Sequence, residues 1–238
     1  MVNLDMKSRA VREDVVDRFF DGTGRSYDRV VDITTWGLDR HWKRELMRWV
    51  PRDAERILDL ACGTGIVLER LHTRCPHAAL VGVDITAEYM AVAKEKFRGR
   101  DLDLTFIHSN AEEMELTGTF DTVVSSYIPK YVDPDVLLER LKPHLRPGAI
   151  VALQDFDHPR GWLPRKLWGA HMGLLKTFGR KVFPEWDVCF DANLAELIRL
   201  CEWTRRYKQA YERHGFQDIK HQRLSWRTAS IVGATWPG

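Results

Sequence analysis

The feature that most constrains this chain is the run Arg56-Ile57-Leu58-Asp59-Leu60-Ala61-Cys62-Gly63-Thr64-Gly65, an apolar segment carrying an acid that breaks into a Gly-x-Gly loop. Val67, Leu68 and Leu71 follow at helical spacing. A strand, a tight glycine turn and a helix start are how α/β proteins build a nucleotide-type site at a strand's carboxyl end. Two details narrow the ligand. The third small residue of a dinucleotide fingerprint is replaced by Leu68, and no Gly-Lys-Ser/Thr follows, so the loop lacks what pyrophosphate and triphosphate sites use. One βα unit later, Ala79-Leu80-Val81-Gly82-Val83 ends in Asp84, placed to accept the hydroxyls of a ribose. The pair reads as a site for a ribose-containing cofactor without a pyrophosphate.

The rest of the chain supports an α/β fold. Apolar runs predict strands near 56–60, 79–83, 104–108, 120–125 and 149–154, with helices near 66–72, 86–97 and 134–142 between them. Short apolar strands alternating with amphipathic helices indicate a mostly parallel, buried sheet. Upstream, Val11, Val15, Val16, Phe19 and Phe20 share one face of a helix over 9–20, and a second helix runs from about Leu38 to Val50, where Pro51 ends it. Strands over about 218–224 and 228–235 close the chain. Trp36, Trp42 and Trp49 read as core or interface residues.

Leu58-Asp59-Leu60-Ala61-Cys62-Gly63-Thr64-Gly65, then Val83-Asp84-Ile85, then Ser109-Asn110-Ala111-Glu112-Glu113, resembles the motif series of class I S-adenosylmethionine-dependent methyltransferases. Phe20-Asp21, Tyr27-Asp28, Trp36-Gly37-Leu38 and Trp42-Lys43 are similar to the UbiE family, which C-methylates quinone precursors. The likeness covers residues 15–155. It implies a Rossmann-like seven-stranded sheet, mostly parallel with a carboxyl-terminal antiparallel hairpin and helices on both faces. It also implies one domain over 1–238, comprising a helical cap (1–52), a cofactor core (53–155), a helical substrate lid (156–214) and a closing hairpin (215–238).

Transferred position by position, the resemblance gives Asp59, Ala61 and the Gly63-Thr64-Gly65 backbone to the methionyl part of S-adenosylmethionine, and Asp84 to its ribose. Ile85 would pack on adenine, Asn110 and Ala111 would border its edge, and Ser125 would close the fourth strand beside it. Tyr27 and Asp28 would lie near the methionyl end and the substrate. S-adenosylhomocysteine would be the product.

The acceptor side departs from that pattern. The family's Gly-Leu-Arg-Asn stretch after the fourth strand is Tyr127-Ile128-Pro129-Lys130 here, and its Glu-Phe-Ser after the fifth is Asp155-Phe156-Asp157. Tyr27, Tyr127, Lys130, Asp155, His158 and His171 are the residues expected to contact or deprotonate a substrate. A phenolic ring carbon becomes a good nucleophile only as the phenolate, so a base is needed there. No metal site or covalent nucleophile is expected: His72 and His77 are poorly spaced as ligands, and no Gly-x-Ser-x-Gly elbow occurs.

Composition sets the outer bounds. With 36 Lys+Arg against 34 Asp+Glu the net charge is +2, which gives no global signature of nucleic-acid binding. Cys62, Cys75, Cys189 and Cys201 form no Cys-x-x-Cys pair and fit reduced thiols of the cytosol. Met1 to Arg12 is charged throughout, which argues against a signal peptide, and no run reaches the ~20 apolar residues of a membrane span. The expected location is cytoplasmic. From His158 to Phe183 the chain carries Arg160, Arg165, Lys166, Lys176, Arg180 and Lys181, no acid, and interleaved Trp162, Trp168, Phe178 and Phe183. That mixture suits a lid over a lipid-like substrate and leaves peripheral membrane contact open; a homodimer is open as well. The function expected is methyl transfer to a small or lipid-like acceptor, with a demethylmenaquinone- or ubiquinone-type precursor as the family's suggestion. The alternatives are N-, O- or S-methylation of another metabolite or phospholipid, and an inactive protein that only binds the donor.

Overall fold

The computed structural model describes residues 9–190 and 194–238. Residues 1–8, part of the stretch weighed above for a signal peptide, lie outside the described residues, as do the side chains of Val11 and Arg180. Seven strands form one sheet in the order β3-β2-β1-β4-β5-β7-β6. They are β1 (Arg56–Leu60), β2 (Ala79–Asp84), β3 (Leu104–His108), β4 (Phe120–Ser126), β5 (Leu145–Phe156), β6 (Gln217–Leu224) and β7 (Ala229–Thr235). β1 to β5 pair in parallel, while β7 runs antiparallel to both β5 and β6. The expected fold class and every predicted strand are present. β5 alone starts earlier than expected, because Leu145 already pairs with Phe120 across a register shift.

Alternate strand residues point to opposite faces, and each face has its own core. Leu58, Leu60, Val81, Val83 and Val123 belong to one cluster; Ile57, Leu80, Val124 and Ala152 belong to the other. Burying each such side chain stabilises the fold by about 1.5–3 kcal/mol. The crossover helices α4 (Ile66–Arg74), α5 (Ala87–Phe97) and α6 (Pro134–Leu141) lie where the apolar spacing predicts. Strand order reverses between β1 and β4. In open α/β sheets ligands bind at the carboxyl ends flanking that reversal.

The amino-terminal segment forms α1 (Arg9–Phe20), α2 (Tyr27–Thr34) and α3 (Leu38–Met47). Val15 and Phe19 of α1 are buried and Val16 and Phe20 partly so, all in the larger core. After β5 come α7 (Trp162–Leu174), a π-helical turn (Leu175–Gly179), the short α8 (Arg180–Val182), α9 (Leu194–Leu200) and α10 (Trp203–Arg213). The stretch read as one lid therefore divides. α10 packs on the sheet with Trp203, Tyr207, Ala210 and Tyr211 buried, as an ordinary crossover helix, whereas α7 has no buried residue at all. Trp42 is buried and Trp49 half-buried, but Trp36 is 74% exposed, so of the expected core or interface placements it does not take the core one.

Candidate active site

At the end of β1 the backbone turns through left-handed residues at Ala61, Gly63 and Gly65. Gly65 is required sterically: a Cβ there would stand 2.7 Å from the Phe97 ring, at φ +83°. The turn brings Gly63 N–H to Asp84 Oδ2 at 2.8 Å, and Thr86 N–H reaches Oδ1 at 2.8 Å. Asp84 lines the cleft above this turn. Burial raises the Asp84 carboxyl above its ordinary value, although those two amides pull it down.

Asp59 lies beneath the loop, fully buried, with neither carboxylate oxygen hydrogen-bonded. Burial first, and then the neighbouring Asp84 charge, holds its carboxyl well above the usual range. A buried carboxylate without partners is costly, so such a group marks a place where a ligand supplies the missing interactions.

A cleft of about 790 Å³, its open mouth included, sits over these ends. Of the residues expected to bind the cofactor, it is lined by Tyr27, Ala61, Gly63, Asp84, Ile85, Asn110 and Ala111. Four do not line it, Asp59 among them, since it is buried beneath the loop. Ser125 is buried and donates its hydroxyl to Leu60 O at 2.6 Å, tying β4 to β1, and Ser126 lines the cleft instead. Thr64 is buried and bonds Asp28, while Gly65 packs on α5. Phe20, Tyr89 and Tyr131 complete an aromatic wall that sequence reasoning missed; their spacing also fits ordinary helix packing, so nothing in the pattern marks them. Tyr89 O–H pairs with Thr23 Oγ1 at 2.7 Å, and Arg12 pairs with Glu112 at 2.6 Å, so α1 and the following turn close one side. The Tyr27 phenol is pushed well above its ordinary value, mainly by burial, and stays protonated.

The expected catalytic residues separate. Lys130 Nζ donates to Asp155 Oδ1 and to Tyr127 O, each at 2.8 Å, and Asp155 also accepts from the backbone N–H groups of Lys130 and Phe156. Both side chains are essentially fully buried and face neither cavity. They form a closed pair just beyond β4 and at the end of β5, away from both cavities. His158 packs edge-on against Trp168 and lines neither cavity.

Beyond the cleft lies a second cavity of about 1430 Å³, open space included, between α2, α3, α7 and α9. Leu38, Trp42, Phe156, Leu167, Trp168 and Ile198 make it strongly apolar. His171 is its titratable imidazole: Nδ1 accepts from Trp36 Nε1–H at 3.1 Å and Nε2 donates to Thr34 O at 2.8 Å. Burial lowers its pKa, so it is neutral at neutral pH.

Tyr127 stands between the two cavities. It lines the cleft and stacks on Phe156 of the apolar cavity, ring centroids 4.6 Å apart and 14° from parallel. Its O–H donates to Asp39 Oδ1 at 2.5 Å, Asp39 pairs with Lys43, and Lys43 Nζ stands 4.6 Å over the tyrosine ring. Tyr127 has φ +80°, in the left-handed region. It stands where the resembled pattern has glycine, so a side chain has been added at a backbone position that glycine adopts freely.

An acid-tipped glycine loop at the switch point of this sheet, with a reversed seventh strand, defines a class I S-adenosylmethionine-dependent methyltransferase. A methyltransferase-domain family model matches residues 57–148. The chain is 31% identical to a demethylmenaquinone methyltransferase of Thermus thermophilus, over 66% of this chain and 70% of that one. It is 27% identical to a ubiquinone/menaquinone biosynthesis C-methyltransferase UbiE of Dinoroseobacter shibae, over 94% of this chain and 92% of the relative. The fold aligns with the plantazolicin methyltransferase BpumL, solved with a monoazolic desmethylPZN analog and SAH, at a TM-score of 0.64 and 14% identity over 97% of this chain and 96% of that one. The chain belongs to the UbiE family of S-adenosylmethionine-dependent methyltransferases.

Proposed function

We propose that the acceptor is a hydroquinone ring bearing a long apolar chain, methylated on a ring carbon. The observation that carries this reading is the large apolar cavity, whose Phe156 stacks on Tyr127 of the donor cleft. The names of the two relatives point the same way.

In this reading Asp84 takes the ribose hydroxyls, and Ile85, Asn110 and Ala111 frame the adenine. Ala61, the Gly63 backbone and Asp59 serve the methionyl end, with Tyr27 against it. S-adenosylmethionine supplies an electrophilic methyl on a sulfonium that leaves as a neutral thioether. The chain contributes complementarity to that positive charge, from the Asp59 and Asp84 carboxylates and the Phe20, Tyr27 and Tyr89 rings. It must also hold the ring carbon about 3–3.5 Å from the methyl, in line with the breaking bond.

Of the acid–base groups expected from the sequence, His171 is the one that faces the acceptor cavity in a neutral, proton-accepting form. We assign it to take the acceptor's hydroxyl proton on Nδ1, with Trp36 giving way. Ring and methyl meet only when Tyr127 moves off Phe156, so Tyr127 acts as a latched partition. Peripheral membrane contact by the basic, aromatic stretch 158–183 belongs to the same reading.

The test is transfer of labelled methyl from S-adenosylmethionine into demethylmenaquinol-type acceptors and into a cell extract. Label in an apolar quinone supports the proposal. Label only in a polar product or headgroup contradicts it and favours the N-, O- or S-methylation alternative.

A further inference from the structure

The mouth of the apolar cavity is rimmed by large side chains that the fold leaves outside. Trp36 is 74% exposed, Trp226 77%, Leu163 48% and Leu167 53%. Trp36, Trp226 and Leu167 line the cavity itself, and Leu163, Leu167 and Trp226 share an adjoining groove with Arg160 and Arg227. Soluble surfaces rarely gather exposed apolar side chains in this way without a partner.

Trp226 is presented at a cost. Ser225, Trp226 and Arg227, at the β6–β7 connection, all have left-handed φ values of 44°, 54° and 68°, and none is glycine. Successive residues in that region each cost energy, and such strain persists only where surrounding contacts enforce it. Here Trp42 Nε1–H donates to Ser225 Oγ at 2.8 Å, and Thr228 N–H returns to Ser225 O at 3.1 Å. A strained turn that holds a tryptophan in water points to a partner for that ring.

The charge around the rim identifies the partner. Residues 158–183 hold no acid, and Arg160, Arg165, Lys166, Lys176 and Lys181 of that stretch are all exposed. Tryptophan, leucine and arginine side by side are the chemistry of an anionic bilayer interface: the aromatic rings sit at headgroup level and the cations meet lipid phosphates. Among the described residues no helix is long and apolar enough to cross a membrane, so the contact is peripheral.

We infer that Trp36, Trp162 (76% exposed), Leu163, Leu167 and Trp226, with Arg160, form a collar that docks on an anionic lipid surface and opens the apolar cavity directly to the bilayer. Three separate elements build it: the α2–α3 turn, α7 and the β6–β7 connection. An acceptor with an apolar chain would then pass from lipid to cavity without crossing water. The inference rests on the proposed lipid-like acceptor.

The test uses the full chain with vesicles of phosphatidylcholine, alone or mixed with phosphatidylglycerol, in co-sedimentation at low and high salt. The expected result is binding to the mixed vesicles, weakened by salt. In the Trp162→Ser/Leu163→Ser variant, whose residues line neither the donor cleft nor the apolar cavity, vesicle affinity should fall at least tenfold. Arg160→Ser should lower it about fivefold, the equivalent of about 1 kcal/mol per basic residue near the surface. Donor affinity and turnover of a detergent-dispersed acceptor should stay at wild-type values in both variants. Wild-type protein that remains in the supernatant with mixed vesicles overturns the docking, as does undiminished binding by the double variant. A dimer in sedimentation equilibrium that the double variant breaks would assign the collar to a second copy and overturn it also. If vesicles bind but no quinol is methylated, the acceptor reading fails and the docking stands.

Discussion

The two cavities were built by different means. The donor cleft is anchored on strand ends, where sheet register fixes position: Asp59 is the penultimate residue of β1 and Asp84 the last of the adjacent parallel β2, and a single glycine turn links them through the Gly63–Asp84 bond, with α1, α2 and α5 residues walling its side. The proposed acceptor cavity is assembled mostly from helices, with α7 burying none of its residues. One site therefore rests on hydrogen-bonded strand ends. The other depends on the side chains of helices packed outside the sheet. Chemistry common to a whole class sits on strands, and selectivity sits on helices and turns.

Substitutions should break this contrast in graded ways. The largest effect belongs to the buried Lys130–Asp155 pair. Lys130→Met leaves Asp155 buried and unpaired, which should cost about 3–5 kcal/mol of stability in denaturant titration. Lys130→Met/Asp155→Leu should recover most of that loss and retain methyl transfer. A folded double variant without activity would return the pair to the chemistry.

Asp84→Ala removes both ribose acceptors while leaving the apolar cavity untouched. Loss of two hydrogen bonds to a charged group is worth about 3 kcal/mol or more, so S-adenosylmethionine affinity should fall at least hundredfold in calorimetry. An unchanged affinity would show that the cleft does not hold the nucleoside.

A smaller effect follows from burial of the two carboxyls. Both are raised in the folded, ligand-free chain, so folding binds protons between the unfolded value near 3.8 and the raised values. In that window the native state holds more protons than the unfolded state, and stability falls as pH rises. A cationic donor binds the ionised form. Its affinity should drop as pH falls through the raised values, by about tenfold per pH unit for each proton displaced, and reach a plateau above them. Affinity independent of pH down to 4 would contradict the assignment of Asp59 and Asp84 to the cation's site.

Tyr127→Phe, which keeps the ring in the cleft wall and removes only the bond to Asp39, should give the smallest change. Asp39 keeps Lys43, so stability should move by about 1 kcal/mol. The unlatched ring should swing more freely, raising kcat/KM for a long-chain acceptor severalfold at constant donor affinity. A change in donor affinity instead would place Tyr127 in the donor site.

The sheet and the donor loop were legible from the residues because local pattern and global fold agree there. Period-two apolar runs, an acid at the strand end and a glycine turn all demand one geometry. Legibility ended where contacts join distant segments. Lys130 and Asp155 each look catalytic when taken singly, and only their juxtaposition across β4 and β5 turns them into a structural pair. Tyr89 reads as helix core until Thr23 is brought beside it. Trp226 carries no signal at all until the turn's left-handed backbone turns it outward.

The account's central claim is that a lipid-like hydroquinone passes from the apolar cavity to the donor cleft, and incubation of the purified chain with labelled S-adenosylmethionine and a demethylmenaquinol series of increasing chain length tests it most directly. The prediction is ring-methylated quinol, with KM falling as the chain lengthens and fills the cavity. Transfer that is indifferent to chain length, or directed only to polar acceptors, would contradict it.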